Sequence, residues 1–536
     1  MSMQPRSAAS WRTLGDYVRG LEAAGKLVRV TVPVNKDTEL HPLVRLQFRG
    51  LEEKARKAFL FENVVDAQGR SYDIPVLLGA MAGSADIYAL GMGCSVEEIP
   101  ERWARALANP LAAERAERAP CQEIRISGAE LERPGCGLGR LPVPISTPGF
   151  DNAPYTTASH WVTRHPDTGL HNVGNYRGMI KAENRIGVLP STLGFGMRAH
   201  LDRWREKGHE RVPAAVIIGA PPHVAFTAVT RVPEDMCEYD VAGALAGEPL
   251  QLVRCLTQDI MVPAEAEIII EGTVPTAFLE IEGAFGEYPG YMAKRDYSFY
   301  MDVTCITMRR NPIYLSILSQ LPPSESSKMR QIGRAAAAKK MLRDSGFKVL
   351  DVHYLECAGS DSVVVVKLKK EKPDDGKNVL NALARKFIGK VAIAVDEDIN
   401  IYEPEHVLWA MGWRSQPYRD VEVLDVPLSS LDPSVTPPDV ARGLVDIEGP
   451  PRSSALLIDA TMPWPYPPLS LPRKDFMEGA VKLWESLQLP ALKLKDPWYG
   501  QAFGLYSDEE AAEADLAVQG RHFETGLKFL KSRRPF

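Results

Sequence analysis

The stretch 156–177, TTASHWVTRHPDTGLHNVGNYR, holds two short strand-like runs, 156–163 and 171–177, with proline and glycine between them. The pattern recurs at 214–219 (AAVIIG), 266–272 (AEIIIEG) and 300–308 (YMDVTCITM). Runs of this length, bounded by turn formers, predict a β-barrel or sandwich with few helices beyond about residue 118.

N-terminal to it the pattern differs. Leu14, Tyr17, Val18, Leu21 and Ala24 fall at helical spacing and stop at Gly25, so a helix opens the first domain. Apolar runs at 59–64 and 74–78 mix with glycine-rich turns, and a helical stretch at 97–107 ends at Asn109-Pro110, which fits an α/β domain.

On the C-terminal side, 327–345 (SKMRQIGRAAAAKKMLRDS) is alanine-rich with a basic face and reads as a helix connecting two domains. The continuous apolar runs 362–368, 391–395 and 455–458, separated by helical stretches at 376–387 and 405–411, read as buried parallel strands covered by helices. The proline- and tryptophan-rich segment 462–472 excludes regular structure; helical stretches follow around 474–487 and 509–530, a tail suited to wrapping a partner subunit. The expected division is 1–118, 119–325, a connecting helix at 326–346, 347–470 and a tail at 471–536.

Over 536 residues, 45% hydrophobic and 25% charged, the composition is that of a globular protein. With 63 basic and 69 acidic side chains the net charge is −6, which excludes a global positive field drawing the chain to nucleic acid or anionic lipid. No run approaches the ~18–20 apolar residues of a spanning helix, and residues 1–12 lack the apolar core of a secretion signal, so a cytoplasmic protein is expected. Seven scattered cysteines without a CxxC pair argue against a disulfide framework or a zinc site. There is neither a GxxxxGK[ST] loop nor a GxGxxG after a strand, so any nucleotide-like cofactor must be held by other means.

Three segments carry candidate chemistry. In 279–291 (LEIEGAFGEYPGY), Glu282 and Glu287 flank Gly283 and Gly286, glycines that allow a tight turn or close approach to a flat ligand. Two carboxylates brought together in a poorly solvated site cannot both stay ionised, and one becomes a proton carrier; the bland alternative is an exposed acidic turn. In 171–177, Asn172 and Arg177 stand five apart, on opposite faces of a flat strand, with Gly174 available as a bulge that re-aims one of them. The alternative there is an edge strand with an exposed arginine; a buried one needs a carboxylate partner. In 231–244 (RVPEDMCEYDVAGA), Glu234, Asp235, Glu238 and Asp240 form an acidic run, and Glu238 with the amide oxygen of Asn172 can begin a hard-cation site, against the reading of a charged loop beside a helix start.

Together HNVGNYR, VPEDMCEYDVAGAL, IIIEGTV and LEIEGAFGEYPGY occur in the order and approximate spacing of the UbiD family of decarboxylases, which the chain resembles over most of its length. LGDYVRGLEAAGKLVRV, AFLFENV, EDINIYEPEHVLWAM and LLIDAT also look like that family. The resemblance implies a multi-domain α/β chain: an N-terminal α/β domain, a split β-barrel flavin-binding domain and a C-terminal α/β oligomerisation domain forming dimers or hexamers. It implies reversible, non-oxidative loss of CO₂ from an aromatic or α,β-unsaturated acid, an aromatic acyl-CoA such as phthaloyl-CoA included. The implied cofactors are prenylated FMN, supplied by a flavin prenyltransferase, with a divalent metal, most often Mn²⁺, and K⁺.

Carried over residue by residue, the catalytic set falls on Arg177, Glu282 and Glu287, and the metal ligands on Asn172 and Glu238. Cofactor contacts fall on Thr157, Gly174, Asn175, Tyr176, Arg177, Val229, Thr230, Arg231 and Glu238. If Arg177 pairs with Glu287, Glu282 is left to carry the proton. Two positions depart from the family: its histidine ligand is missing near Leu193, where 190–195 reads PSTLGF with His200 the nearest, and a lysine of the ferulic acid decarboxylase branch aligns near Glu405. The rival readings are a flavin-binding carrier of the same fold without turnover, and a metal-dependent hydrolase built on the acidic loop.

Overall fold

The computed structural model describes residues 11–190, 195–233, 235–385, 389–426, 432–435, 437, 452–532 and 534–535. The opening helix, Leu14–Ala23, starts in a capping box between Thr13 and Asp16, buries Leu14, Tyr17, Val18 and Leu21, and is followed by Gly25 at φ +67°. It packs beside Leu27–Val30, the first strand of a four-stranded sheet in the order Leu27–Val30, Ala58–Phe61, Val76–Leu78, Tyr314–Leu315. The last strand joins Val76–Leu78 in parallel, so everything between them in sequence forms the crossover. Glu114–Arg115 likewise pairs with Gln251–Arg254. Both pairings cross the expected boundary at 118, because each sheet completes itself with a distant segment.

The middle unit is a ten-stranded sheet whose main path runs His171–Asn175, Ser159–Arg164, Arg211–Ile218, Ile268–Pro275, Asp296–Met308, Arg185–Val188, Gly178–Ala182, Tyr155–Thr156. Trp161, Val212, Ala214, Val216, Ile218, Ile268 and Ile270 fill one core, while Val162, Val173, Ala215, Ile217 and Ile269 fill another. Alternate residues of the same strands therefore face two apolar layers, which is why AAVIIG and AEIIIEG read as apolar runs without polar alternation.

The path ends where it began, since 155–156 leads directly into 159–164 and 171–175 into 178–182. The sheet rolls back on itself, yet the described strands form no closed barrel. Asn175 pairs with His160 and Gly178 with Thr156, so Thr157, Ala158 and Ser159 span the split opposite only Tyr176 and Arg177. That extra residue is a bulge, and it lies at the split rather than at Gly174, which pairs in register with Trp161. Gly174 has another use: a Cβ there would lie 2.5 Å from the Tyr176 ring.

The C-terminal unit is a five-stranded sheet, Val349–Tyr354, Val363–Leu368, Val391–Val395, Ser453–Ala460, Val421–Val426, with parallel central pairs and antiparallel edges. Helices Asp375–Ala384 and Pro404–Arg414 pack against it. The tail holds helix Lys474–Ser486, and the helical stretch expected over 509–530 is two helices, Asp508–Val518 and His522–Phe529, parted at Gly520 with φ +76°. None of the three tail helices buries a residue. Among the described residues no helix is long and apolar enough to cross a membrane.

Helix Glu325–Asp344 ties the units together. Buried Lys328 bridges Glu53 of the N-terminal unit at 2.9 Å and Glu356 of the C-terminal unit at 2.8 Å. Glu325, wholly buried, accepts the backbone N–H of Gly79, Met81, Ala82 and Leu318 at 3.1, 2.6, 3.3 and 3.0 Å. Burial pushes its carboxyl up to about 6 although these four donors oppose the shift. The folded chain therefore binds an extra proton between its ordinary 4.5 and about 6, so stability falls by about 2 kcal/mol as pH rises through that window and is level above it. Glu325→Gln removes this slope and, by turning an amide toward backbone donors, costs about 2–3 kcal/mol at pH 7. Denaturant unfolding of both proteins at pH 4.5, 6 and 7 checks it; parallel curves rule it out.

Candidate active site

The segment 279–291 is held from outside. Strand Glu280–Glu282 pairs with Asp296–Met308, and strand Phe285–Gly286 pairs with Met292–Ala293. Between them Asn152 Oδ1 accepts the Ala284 N–H at 2.7 Å, Asp151 Oδ1 accepts that of Gly286 at 3.2 Å, and the Tyr155 hydroxyl donates to Gly283 O at 3.0 Å. The two glycines permit this approach of backbone to the 147–152 loop, rather than to a flat ligand: a Cβ on Gly283 would lie 2.8 Å from Asn152 Cβ, and one on Gly286 2.6 Å from Thr147 Oγ1. Gly283→Ala is expected to cost about 1–3 kcal/mol by overpacking and to lower activity by displacing the acidic segment. Thermal unfolding and kcat measured together test it; an unchanged kcat would mean the segment tolerates the shift.

Arg177 lies opposite the bulge and its side chain is buried between two carboxylates. Its Nε and Nη2 donate to both oxygens of Glu282, at 3.2 and 2.7 Å, while Nη1 donates to Glu287 Oε1. The side chains of Arg177, Glu282 and Glu287 keep only 8%, 3% and 14% of their exposure, so the solvent-exposed alternatives for both segments do not hold. Burial works against the guanidinium charge, but bonding to Glu282 and the charges of Glu287 and Glu282 outweigh it, and its pKa is raised. The expected Arg177–Glu287 pair is present, and Arg177 in addition forks onto both oxygens of Glu282. The Phe285 ring lies 5.7 Å from the guanidinium.

Arg177 and Glu287 border a cavity of 410 Å³, within the size range of small-molecule sites. Thr157, Asn172, Gly174, Asn175, Tyr176, Arg177, Val229, Thr230, Arg231, Glu238 and Glu287 all line it, although they come from separate parts of the chain. Glu282 does not line it, although its partner Arg177 does. Hydroxyls and guanidiniums share the wall with Leu189, Phe285 and Ile317, a donor set that fits a flat heterocycle carrying a phosphate. Gly333 lets the long helix approach, since a Cβ there would lie 2.4 Å from Thr230 Oγ1.

Glu238 opens helix Glu238–Ala246 and accepts the Val173 N–H at 2.9 Å. Burial pushes its carboxyl up to about 7, and among the described residues no cationic side chain pairs with it. A buried carboxylate on a cavity wall that the Asn172 amide also lines fits a bound cation. Among the described residues no three His, Cys, Asp or Glu side chains are grouped to hold a metal, so further ligands would come from phosphate or water. Leu193 and Glu234 lie outside the described residues. His200 is turned away from this role: its Nδ1 is 2.9 Å from Thr163 Oγ1, its ring packs edge-on against His165, and burial lowers it to about 4. Glu405 is exposed and pairs with Lys495 at 3.0 Å.

Sequence reading missed Arg330, Arg334 and Tyr288. All three line the cavity, Arg330 lies over the Tyr288 ring at 4.0 Å, and both arginines bond Asp361 of the C-terminal unit. The arginines stand four apart on the alanine-rich helix, a signal visible in the basic face but absorbed there into its role as a connector.

Three family models match in succession: the 3-octaprenyl-4-hydroxybenzoate carboxy-lyase N-terminal domain over residues 18–107, the Rift-related domain over 113–322 and the C-terminal domain over 327–460. The UbiD-class enzyme HmfF from Pelotomaculum thermopropionicum, in complex with FMN, is 30% identical with a TM-score of 0.73, covering 87% of this chain and 96% of that one. The chain belongs to the UbiD family. An evolved dimeric HmfF in complex with prFMN is 29% identical, with a TM-score of 0.71 over 84% of this UbiD-family chain and 95% of that one. The vanillic acid decarboxylase of Sedimentibacter hydroxybenzoicus in closed form is 26% identical, with a TM-score of 0.75 over 89% and 99%. By family the chain is a carboxy-lyase of the UbiD class, and the tail beyond residue 460 lies outside the matched domains.

Proposed function

We propose that this UbiD-family chain removes CO₂ reversibly from an aromatic or α,β-unsaturated acid, with prenylated FMN in the 410 Å³ cavity. The observation that carries the reading is one guanidinium shared by two buried carboxylates at the edge of that cavity. Bound there, prenylated FMN would supply the electron sink for the charge left when CO₂ departs. Thr157, Asn175, Tyr176, Thr230 and Arg231 would hold it, with Asn172 and Glu238 toward Mn²⁺ and K⁺ beside its phosphate.

Glu287 is the proton carrier in this reading, in place of Glu282. Both Glu282 oxygens are taken by guanidinium N–H donors, whereas Glu287 uses one oxygen and lines the cavity. Arg177 with two glutamates carries a formal charge of −1; a substrate carboxylate makes it −2, and one proton on the pair relieves the repulsion. A carrier without turnover has no need of such a coupled set. The exposed tail helices support a homo-oligomer in which a second copy covers them, and the seven unbridged cysteines suit the cytoplasm.

The test is production together with a flavin prenyltransferase, an absorbance spectrum, and ¹³C-bicarbonate exchange with a panel of aromatic and unsaturated acids. Flavin-loaded protein that exchanges none of them would refute the reading.

A further inference from the structure

A line of buried polar side chains runs from the N-terminal unit to the cavity. His41, on the buried face of helix Leu40–Gly50, is 1% exposed, Ser316 is wholly buried, and Thr157 lines the cavity. His41 Nε2 lies 3.1 Å from Ser316 Oγ, and Ser316 Oγ lies 2.9 Å from Thr157 Oγ1, which also accepts the Ile317 N–H at 2.9 Å. The middle of this line is anchored to the N-terminal sheet, since Ser316 follows strand Tyr314–Leu315 and donates its N–H to Leu77 O at 2.9 Å.

The hydrogens available give the line a direction. Burial, with the nearby Arg45 charge, lowers the His41 imidazole to about 3, so the ring carries one hydrogen. Among the described residues Nδ1 has no partner. A hydrogen on Nδ1 would be a buried, unpaired N–H, which native structures rarely keep, whereas a bare Nδ1 leaves only an acceptor unpaired. The hydrogen therefore sits on Nε2 and goes to Ser316, whose own hydrogen goes to Thr157. Thr157 Oγ1 then accepts twice, from Ser316 and from Ile317, and its hydrogen is left for a group in the cavity. In the opposite order Thr157 would spend its hydrogen on Ser316 and offer the cavity only a lone pair.

We propose that His41 and Ser316 are positioning residues that fix Thr157 as a hydrogen-bond donor to the flavin ring in the cavity. This rests on the flavin of the reading above. Thr157 spans the split opposite Tyr176 and Arg177, so its hydrogen enters the cavity at the same split as the guanidinium. A donor held in one direction stabilises negative charge as it gathers on the acceptor, with no reorientation to wait for. A freely turning hydroxyl would have to rotate first.

The experiment titrates the full chain, produced without the prenyltransferase, with FMN and records the visible absorbance of the bound flavin. Thr157→Val should weaken FMN about fivefold and shift its visible bands, and His41→Leu and Ser316→Ala should weaken it about threefold with a shift of the same sign. His41→Leu/Thr157→Val should match Thr157→Val alone, because both residues act through one hydrogen. His41→Gln, whose amide N–H reaches the place of Nε2, should restore affinity and spectrum. Absence of FMN binding, an unaltered Thr157→Val, additive effects in the double variant, or wild-type bands in Ser316→Ala overturn the proposal; the last decides alone if His41→Leu does not fold. In protein produced with the prenyltransferase, turnover of an acid alongside unshifted bands overturns the relay and spares the decarboxylase reading. Shifted bands without turnover of any acid overturn the decarboxylase reading and leave the relay standing.

Discussion

Glu287→Gln is expected to lower both CO₂ release and hydrogen exchange at the product carbon by about 10²–10⁴, with flavin still bound. The amide keeps the size of the side chain and its contact with Arg177 but has no exchangeable acid proton. Glu282→Gln should act differently. It replaces one of two forked acceptors of Arg177, so the guanidinium turns toward Glu287 and activity falls through misplacement, with KM rising alongside the loss in kcat. Deuterium incorporation from solvent, measured for both variants with the same acid, separates the roles. Exchange that survives in Glu287→Gln and vanishes in Glu282→Gln would return the proton to Glu282.

Arg177→Met should destabilise the protein by about 3–5 kcal/mol, because it strips the cation from two buried carboxylates and leaves their charge uncompensated. The same change removes the group that would face a substrate carboxylate, so activity is lost with it. Arg177→Lys is intermediate: an ammonium restores charge but cannot fork onto both Glu282 oxygens while reaching Glu287. Denaturant unfolding should rank wild type above Lys above Met. If Met were as stable as wild type, the three side chains would not be the tightly coupled set described above.

Much of the architecture was legible before any coordinates. The 14–24 spacing, the alanine-rich run at 327–345 and the apolar runs at 362–368 and 391–395 became the expected helix, connector and parallel strands, because periodicity and burial are local properties of the chain. Which distant segments complete each sheet was less legible: Tyr314–Leu315 joins Val76–Leu78 and Glu114–Arg115 joins Gln251–Arg254. The division of labour between Glu282 and Glu287 was not legible either. It depends on which carboxylates the Arg177 side chain reaches in the folded chain, and the extra residue of the split lies at Thr157–Ser159, opposite Arg177, and not at the glycine that looked suited to it.

What the residues determined by themselves was the inventory: a guanidinium, two glutamates five positions apart, an asparagine and a buried-type glutamate, together with strands apolar enough to be covered on both faces. Only the tertiary structure decided which of them meet. The sheet returns to its own first strands and splits there, and Arg177, at the split, meets residues more than a hundred positions away. Local chemistry can state that a buried charge needs a partner, but the partner is chosen by how the strands roll up.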